Sequence, residues 1–500
     1  MDAALTGAAP IDVDTLIVGA GFAGLGMGIR LKRAAADRPL GSFLILERAR
    51  DVGGTWRDNV YPGVACDIPS HLYSFSFRTK PDWTHVYPSG TELQEYLREA
   101  AREEGILPHL RFGECVTDAR WNEDAARWLV TTPVASYRAK ALVSAVGRLS
   151  EPRIPSIDGL DHFPGPVLHT STWDAGVDLA DARVGLVGTG ASAVQLLPEL
   201  ARRAGAVTVF QRSAPYVVPR GDRAYDEQEL AALADPAERE LLRERLFWEA
   251  ESGFPARLGA PQAIGALRDR AAGHLRAQVA DPALRAALTP DYEIGCKRVL
   301  LSDDFYPAMQ QPNVTLEASA LDRLDGSVGV AASGERHDLD ALVFATGFHA
   351  TRPPFAELVT GRDGIRLAQH WARGMRAYAS TVVHGFPNLF VLDGPNASLG
   401  HNSAVYMIET QLDYVLGALE HLQTADAPLD IPQRVEDDYV DALDAAAEDT
   451  VWLSGCTSWY VDDRSGRLTL LWPGYAHTFR ERNGTFDPAV FGVPAACCDT

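Results

Sequence analysis

The sequence predicts an α/β fold with two Rossmann-like dinucleotide-binding domains, the second interrupted by a helical insertion. Three observations lead there. A glycine fingerprint, Gly19-Ala20-Gly21-Phe22-Ala23-Gly24, follows the apolar run Thr15–Val18, and another, Gly188-Thr189-Gly190-Ala191-Ser192-Ala193, follows Val184–Val187. The stretch Ala-Leu-Val-Ser-Ala-Val-Gly at 141–147 returns as Ala-Leu-Val-Phe-Ala-Thr-Gly at 341–347, ending on Ala345, Thr346 and Gly347. Each copy lies behind its own fingerprint, which marks a duplicated unit. Residues 226–289 have helical grammar instead: Asp235-Pro236 and Asp281-Pro282 read as cap and first-turn pairs, and Leu242 and Leu246 share a face. Its charges are expected to form a solvated face.

Composition sets the bounds. A chain of 500 residues has room for two or three domains and a sizeable core. With 46 basic against 67 acidic side chains, its net charge of -21 repels phosphate backbones and anionic lipid, so neither nucleic acid nor a membrane surface is an expected partner. Met1–Asp14 holds three Asp and no Lys or Arg, unlike a targeting segment, and the glycine-rich stretch Thr15–Ile29 is too short to span a bilayer. A cytoplasmic monomer or homodimer is expected. Six cysteines without a C-x-x-C predict neither a disulfide framework nor a metal site, and Cys497-Cys498 is expected in a frayed tail without a role.

Taken in order, Thr15–Val18, the glycine turn, a helix to Arg33, the strand Phe43–Leu46 and Glu47 complete a βαβ dinucleotide unit. The glycines admit a pyrophosphate, the helix N-terminus attracts it, and Glu47 can accept from an adenosine ribose hydroxyl. In the second unit the strand Val207–Phe210 aligns with Phe43–Leu46. Gln211 then stands opposite Glu47, and Arg212 opposite Arg48. The acid that would repel a 2′-phosphate is absent and a guanidinium is available, which favours NADPH over NADH. Two dinucleotides, one gripped by an acid and one by an arginine, imply FAD plus NADPH. Disulfide reductases share this pair of folds but need a reactive dithiol near the flavin; without a C-x-x-C, oxygen is the plausible electron acceptor. The expected domains are 1–152 with 376–500 for FAD, 153–225 with 290–375 for NADPH, and 226–289 for the insertion.

Three further segments narrow the reading. Between the fingerprints lies Phe163-x-Gly165-x-x-x-His169-x-x-x-Trp173-Asp174; earlier stand Gly53-Gly54-Thr55-Trp56 and Tyr61-Pro-Gly-Val-Ala-Cys-Asp67; later comes Gly295-Cys-Lys297-Arg298. Taken singly they would be a stiff linker, a surface loop and a surface cation pair. Together and in this order they resemble the signatures of type I Baeyer-Villiger monooxygenases, class B flavoproteins that turn a ketone into an ester or lactone with NADPH and O2 through a peroxide on the flavin. The resemblance implies that Arg298 reaches the flavin, that Asp67 pairs with it, and that Lys297 meets the NADP phosphate. It also implies that Arg48, Gly54, Thr55, Trp56, Tyr61 and Tyr73 line FAD and Ser213 lines NADPH. His169 is assigned to domain motion rather than proton transfer. Trp173 sets the chain apart from the related branch that oxidises sulfur or nitrogen, which is one rival; a redox sensor that has lost turnover is another, opposed by the presence of Arg298 and Asp67.

After Tyr378 the register returns to strand and loop. Asn388–Leu392 is apolar, and Gly394–Asn402 opens a helix from Ala404 to about Leu419. His401 reads as a capping or core residue. Trp459, Tyr460, Trp472 and Tyr475 fit either the wall of a substrate cavity or ordinary core. Replacing Arg212 by Ala is expected to weaken NADPH binding about ten- to hundredfold, the worth of one charge-assisted contact, as read by titration with both nucleotides.

Overall fold

The structure, a computed structural model, describes residues 9–38 and 40–492. Cys497-Cys498 and the first eight positions lie outside the described residues. Two mostly parallel sheets dominate. The first has eight strands. At its centre β1 (Ile11–Val18) pairs in parallel with β2 (Phe43–Glu47) on one side and β3 (Ser136–Ser144) on the other. Between β1 and β2 runs α1 (Phe22–Ala34). The second sheet has five strands, all parallel: β4 (Arg183–Val187) lies between β5 (Ala206–Phe210) and β6 (Ala341–Phe344), with Val314–Glu317 and Val167–His169 at the edges. The connection from β4 to β5 is α2 (Ala191–Arg203).

The sequence repeat appears as equivalent geometry. Ala141 pairs with Thr15 across β3 and β1, and Ala341 pairs with Val184 across β6 and β4. Each repeat thus runs beside the strand that carries its fingerprint. Helix α1 buries its apolar residues in one core with the helix Ala404–Leu422, so the distant end of the chain covers the first sheet. Burying an aliphatic side chain is worth about 1.5–3 kcal/mol, and this shared core fixes the two segments together.

Three expectations need correction. The two-residue strand Val359–Thr360 pairs with Asp118–Asn122 in the first sheet, so the chain re-enters that sheet before position 376. A strand so short has no hydrophobic period to read. The insertion carries four helices, Glu227–Leu233, Pro236–Glu251, Pro261–Gln278 and Pro282–Ala287, with caps at Asp226, Asp235 and Asp281. Its charges are not all solvated, however: Arg243 and Glu251 are buried, and Arg243 donates to the carbonyls of His71 and Ser74 at 2.9 Å each. Lastly, Cys296 and Cys456 form a disulfide across 160 positions. Their separation hid the pairing, which follows from the Gly295–Arg298 segment lying beside the carbonyl of Trp452. No helix of the described residues is long and apolar enough to cross a membrane.

Peptide mapping without reductant is expected to recover the Cys296 and Cys456 peptides linked. Cys456→Ser should cost about 2–4 kcal/mol of stability under oxidising conditions, measurable by denaturant titration.

Candidate functional site

Both glycine turns are built by the same contact. Gly19 has φ +104°, and a Cβ there would lie 2.4 Å from the Ala145 carbonyl oxygen; Gly188 has φ +106° and the same approach to Ala345, at 2.7 Å. Only glycine adopts that backbone at that distance. Gly21 is the N-cap of α1 and Gly190 that of α2, each without a capping side chain and without an acid in the first turn. A missing cap is not peculiar to these two, since Pro261–Gln278 and Gln433–Ala447 also have none; what sets α1 and α2 apart is the positive-φ glycine turn, packed against a carbonyl, that leads into each. Two uncapped N-termini present free N–H groups and a positive dipole end, which suits a pyrophosphate at each.

Around the first turn, Glu47 is buried, accepts from the backbone N–H of Ala20 and Ala49 at 2.9 Å each, and forms an ion pair with Arg57 at 2.9 Å. A carboxylate has about four acceptor sites, so one stays free for a ribose hydroxyl. Arg48 pairs with Glu151 at the surface. Gly54 has φ +52° and backs onto the Cα of Gly21; Thr55 beyond it is exposed. The rings of Phe22 and Trp56 meet Tyr73 edge-on at 5.2 and 5.5 Å, and burial pushes the Tyr73 hydroxyl well above its usual range. Ala23 and Gly24 are buried against the turn, a Cβ on Gly24 falling 1.9 Å from the Gly19 carbonyl oxygen.

Around the second turn, Thr189 donates to the Ser213 carbonyl at 2.9 Å, while Ala191 and Arg212 are exposed and Ser192 is half-buried. Thr346 donates to the Arg153 carbonyl at 2.6 Å, and a Cβ on Gly347 would meet nothing. Gln211 donates to the Ala287 carbonyl, so no acid stands where Glu47 stands in the first unit. Lys297 lies 4.3 Å over the Tyr292 ring; burial and the neighbouring Arg212 both hold its pKa below the usual value. Neither cation has a carboxylate partner among the described residues. Two like charges held close without an anion between them fit a phosphate dianion.

Asp67 and Arg298 meet from sequence positions 231 apart: Nε donates at 2.8 Å and Nη2 approaches at 2.7 Å, both to Oδ2. The side chains keep 24% and 27% of their exposure, so the pair is sheltered while one face remains reachable. The Asp67 charge raises the Arg298 pKa further and locks the guanidinium in its cationic form. Burial pushes the adjacent Cys66 thiol up, so it stays protonated. Tyr460, fully buried, influences the same guanidinium, and Arg148 forms an ion pair with Asp393 close by, its own pKa pushed down by burial to about 10.

The linker fingerprint lies elsewhere. Phe163 is core, a Cβ on Gly165 would strike the Asp340 carbonyl at 1.9 Å, Trp173 packs on the second unit's core, and Asp174 accepts from the Gly176 N–H. His169 pairs with Phe344 at the edge of the second sheet and accepts at Nδ1 from the Ser171 N–H at 3.2 Å. Burial lowers its pKa, so the ring is neutral, and none of its hydrogen bonds reaches Asp67 or Arg298. His401 is a core residue: Glu251 accepts from its Nε2 at 3.0 Å, from Asn402 at 2.9 Å and from His477 Nδ1 at 2.7 Å. Burial alone would raise the Glu251 pKa; these donors outweigh it and hold it at about 2. Of the late aromatics, Tyr460 and Trp472 are buried, Tyr475 packs against a core cluster, and Trp459 is 42% exposed. Sequence reasoning missed Arg57, whose partners Glu47, Asp51 and Asp58 lie within ten positions, and Arg148, Glu251 and Gln195, whose partners are remote in the chain; only the place of Gln195, one turn inside α2, hinted at a role.

Comparison with known proteins follows the same lines. Residues 16–226 match the family model described as pyridine nucleotide-disulphide oxidoreductase. The chain is 43% identical over 502 residues to a Baeyer-Villiger monooxygenase of Streptomyces coelicolor, covering 98% of this chain and 96% of that protein. It resembles the crystal structure of cyclohexanone monooxygenase from Rhodococcus sp. Phi1 bound to NADP+, with 29% identity, a TM-score of 0.83 and coverage of 95% and 97%. OTEMO in complex with FAD and NADP is similar at 27% identity and a TM-score of 0.83, again over 95% and 97% of the two chains.

The two glycine turns are separable by mutation. Gly24→Ala forces a Cβ into backbone and is expected to cost about 1–3 kcal/mol, lowering the melting temperature and flavin content together. A Cβ on Gly190 meets no protein atom within 4 Å, so Gly190→Ala should leave the melting temperature unchanged and weaken NADP+ binding in a titration.

Proposed function

Because the chain belongs to the Baeyer-Villiger monooxygenase family, we propose that it inserts an oxygen atom beside the carbonyl of a ketone, giving an ester or lactone at the expense of NADPH and O2. Bound FAD would supply the redox chemistry, accepting hydride from NADPH and activating oxygen. The uncapped turns at Gly21 and Gly190, the acceptor Glu47 and the cation pair Arg212 and Lys297 support binding of FAD in the first unit and NADPH in the second. A cytoplasmic setting, where NADPH is regenerated, suits this reading.

The observation that carries the reading is the Asp67–Arg298 pair. Insertion beside a carbonyl builds negative charge on oxygen, and a fixed guanidinium lowers the energy of that charge where it develops. Arg298 has five donor hydrogens and no accessible neutral form, so it acts by charge and orientation and takes no proton. Asp67 accepts from Nε and pairs with Nη2, which fixes the guanidinium and leaves the other donors for reacting oxygens. It also offsets the cost of keeping a cation partly out of water before substrate arrives. Lys297, next in the chain, would hold the NADPH phosphate, so one segment touches both the nucleotide and the reacting group.

The test is to follow NADPH consumption by the yellow holoprotein with a ketone panel and a sulfide panel and to weigh the products. Ketones should gain one oxygen as esters or lactones; sulfoxides alone would overturn the reading. Arg298→Ala is expected to retain flavin bleaching by NADPH and to lose about 10²–10³-fold in ester formation. A native rate of ester formation in that variant would remove Arg298 from the chemistry.

A further inference from the structure

We propose that Gln195 is a positioning residue that makes the placement of Asp67 depend on the helix at which NADPH binds. Gln195 lies one turn inside α2, whose uncapped N-terminus at Gly190 is the end assigned above to NADPH. Its side chain crosses to the segment Tyr61–Asp67. Oε1 accepts from the Tyr61 hydroxyl at 2.8 Å, Nε2 donates to the Ala65 carbonyl at 2.9 Å, and the Ala65 N–H approaches Oε1 at 3.4 Å. Both ends of one amide are therefore committed to a segment that ends, two residues later, in the carboxylate holding Arg298.

The contact is close as well as polar. Gly63 has φ +82°, and a Cβ there would lie 2.6 Å from the Gln195 carbonyl oxygen, so the loop lies directly on the helix backbone. Tyr61 is buried, its hydroxyl pushed up to about 12 by desolvation, and so stays a donor. Further along, Arg220 donates to the Cys66 carbonyl at 3.0 Å. The same segment is also tied to the first unit, through the Cys66 N–H to the Pro88 carbonyl and the Gly90 N–H to the Val64 carbonyl, at 2.9 and 3.0 Å. Held from both sides, it transmits a shift of α2 to Asp67. A glutamine is neutral, so nothing in its charge serves the nucleotide; its value lies in offering an acceptor and a donor at fixed spacing. A misplacement of about 1 Å at a reacting group can cost about a hundredfold in rate, which is the lever such a coupling would use.

This inference rests on Asp67 and Arg298 being the working pair, and its test has a readout independent of turnover. Hydrogen–deuterium exchange on the FAD-loaded protein, with and without saturating NADP+, should show NADP+ slowing exchange across residues 61–67. Gln195→Leu should abolish that protection with NADP+ affinity within about twofold of native, and should lower ester formed per NADPH by about tenfold or more, the lost electrons appearing as hydrogen peroxide. Tyr61→Phe, which removes one hydroxyl and keeps the ring, should show a partial loss of both; it decides the matter if the leucine variant fails to fold. Full NADP+ protection and native coupling in a folded variant would overturn the proposal. Absence of ester from the native protein would instead count against the function assigned above, leaving the exchange result to judge Gln195.

Discussion

A single charge pair, Asp67 with Arg298, organises the molecule. The carboxylate comes from a loop behind the first glycine fingerprint and the guanidinium from the strand-rich return of the second unit. Neither unit can build the site alone. A lone guanidinium sheltered from water would be costly, and a lone carboxylate there would repel the negative charge that the proposed reaction would develop beside it. Paired, they remain three-quarters covered and still present unused donors.

What could be read from the sequence follows from how far each constraint reaches. The glycine turns were legible because their physics is local: a positive φ and a carbonyl at 2.4 or 2.7 Å leave no alternative to glycine at 19 and 188. Glu47 and the absence of an acid at 211 were legible for the same reason, since each sits at the end of a strand whose period is visible. The partners of those residues were not. Arg148 on Asp393, Gln195 on Tyr61 and Cys456 on Cys296 are meetings between segments that only the closed fold brings together. Asp67 with Arg298 was anticipated solely through resemblance, because nothing in their spacing joins them.

The disulfide places a redox-sensitive link beside the charge pair. Cys296 is fully buried two residues from Arg298, while Cys456 lies in a half-exposed loop three residues before Trp459. A cytoplasm keeps thiols reduced, so the covalent tie and a cytoplasmic setting pull in opposite directions: burial keeps an attacking thiolate from Cys296, and the half-exposed Cys456 is the sulfur at which exchange would begin.

The insertion contributes more than a cover. Glu251, the last residue of its long helix, is the common acceptor for His401, Asn402, His477 and the backbone at Ala476. Any attempt to graft a foreign module at this point, for instance to redesign specificity, inherits two imidazoles and an amide shaped around a carboxylate. Such a chimera must carry an acid to the same spot, or replace both histidines with apolar side chains of matching volume, before its new surface can be judged on its merits.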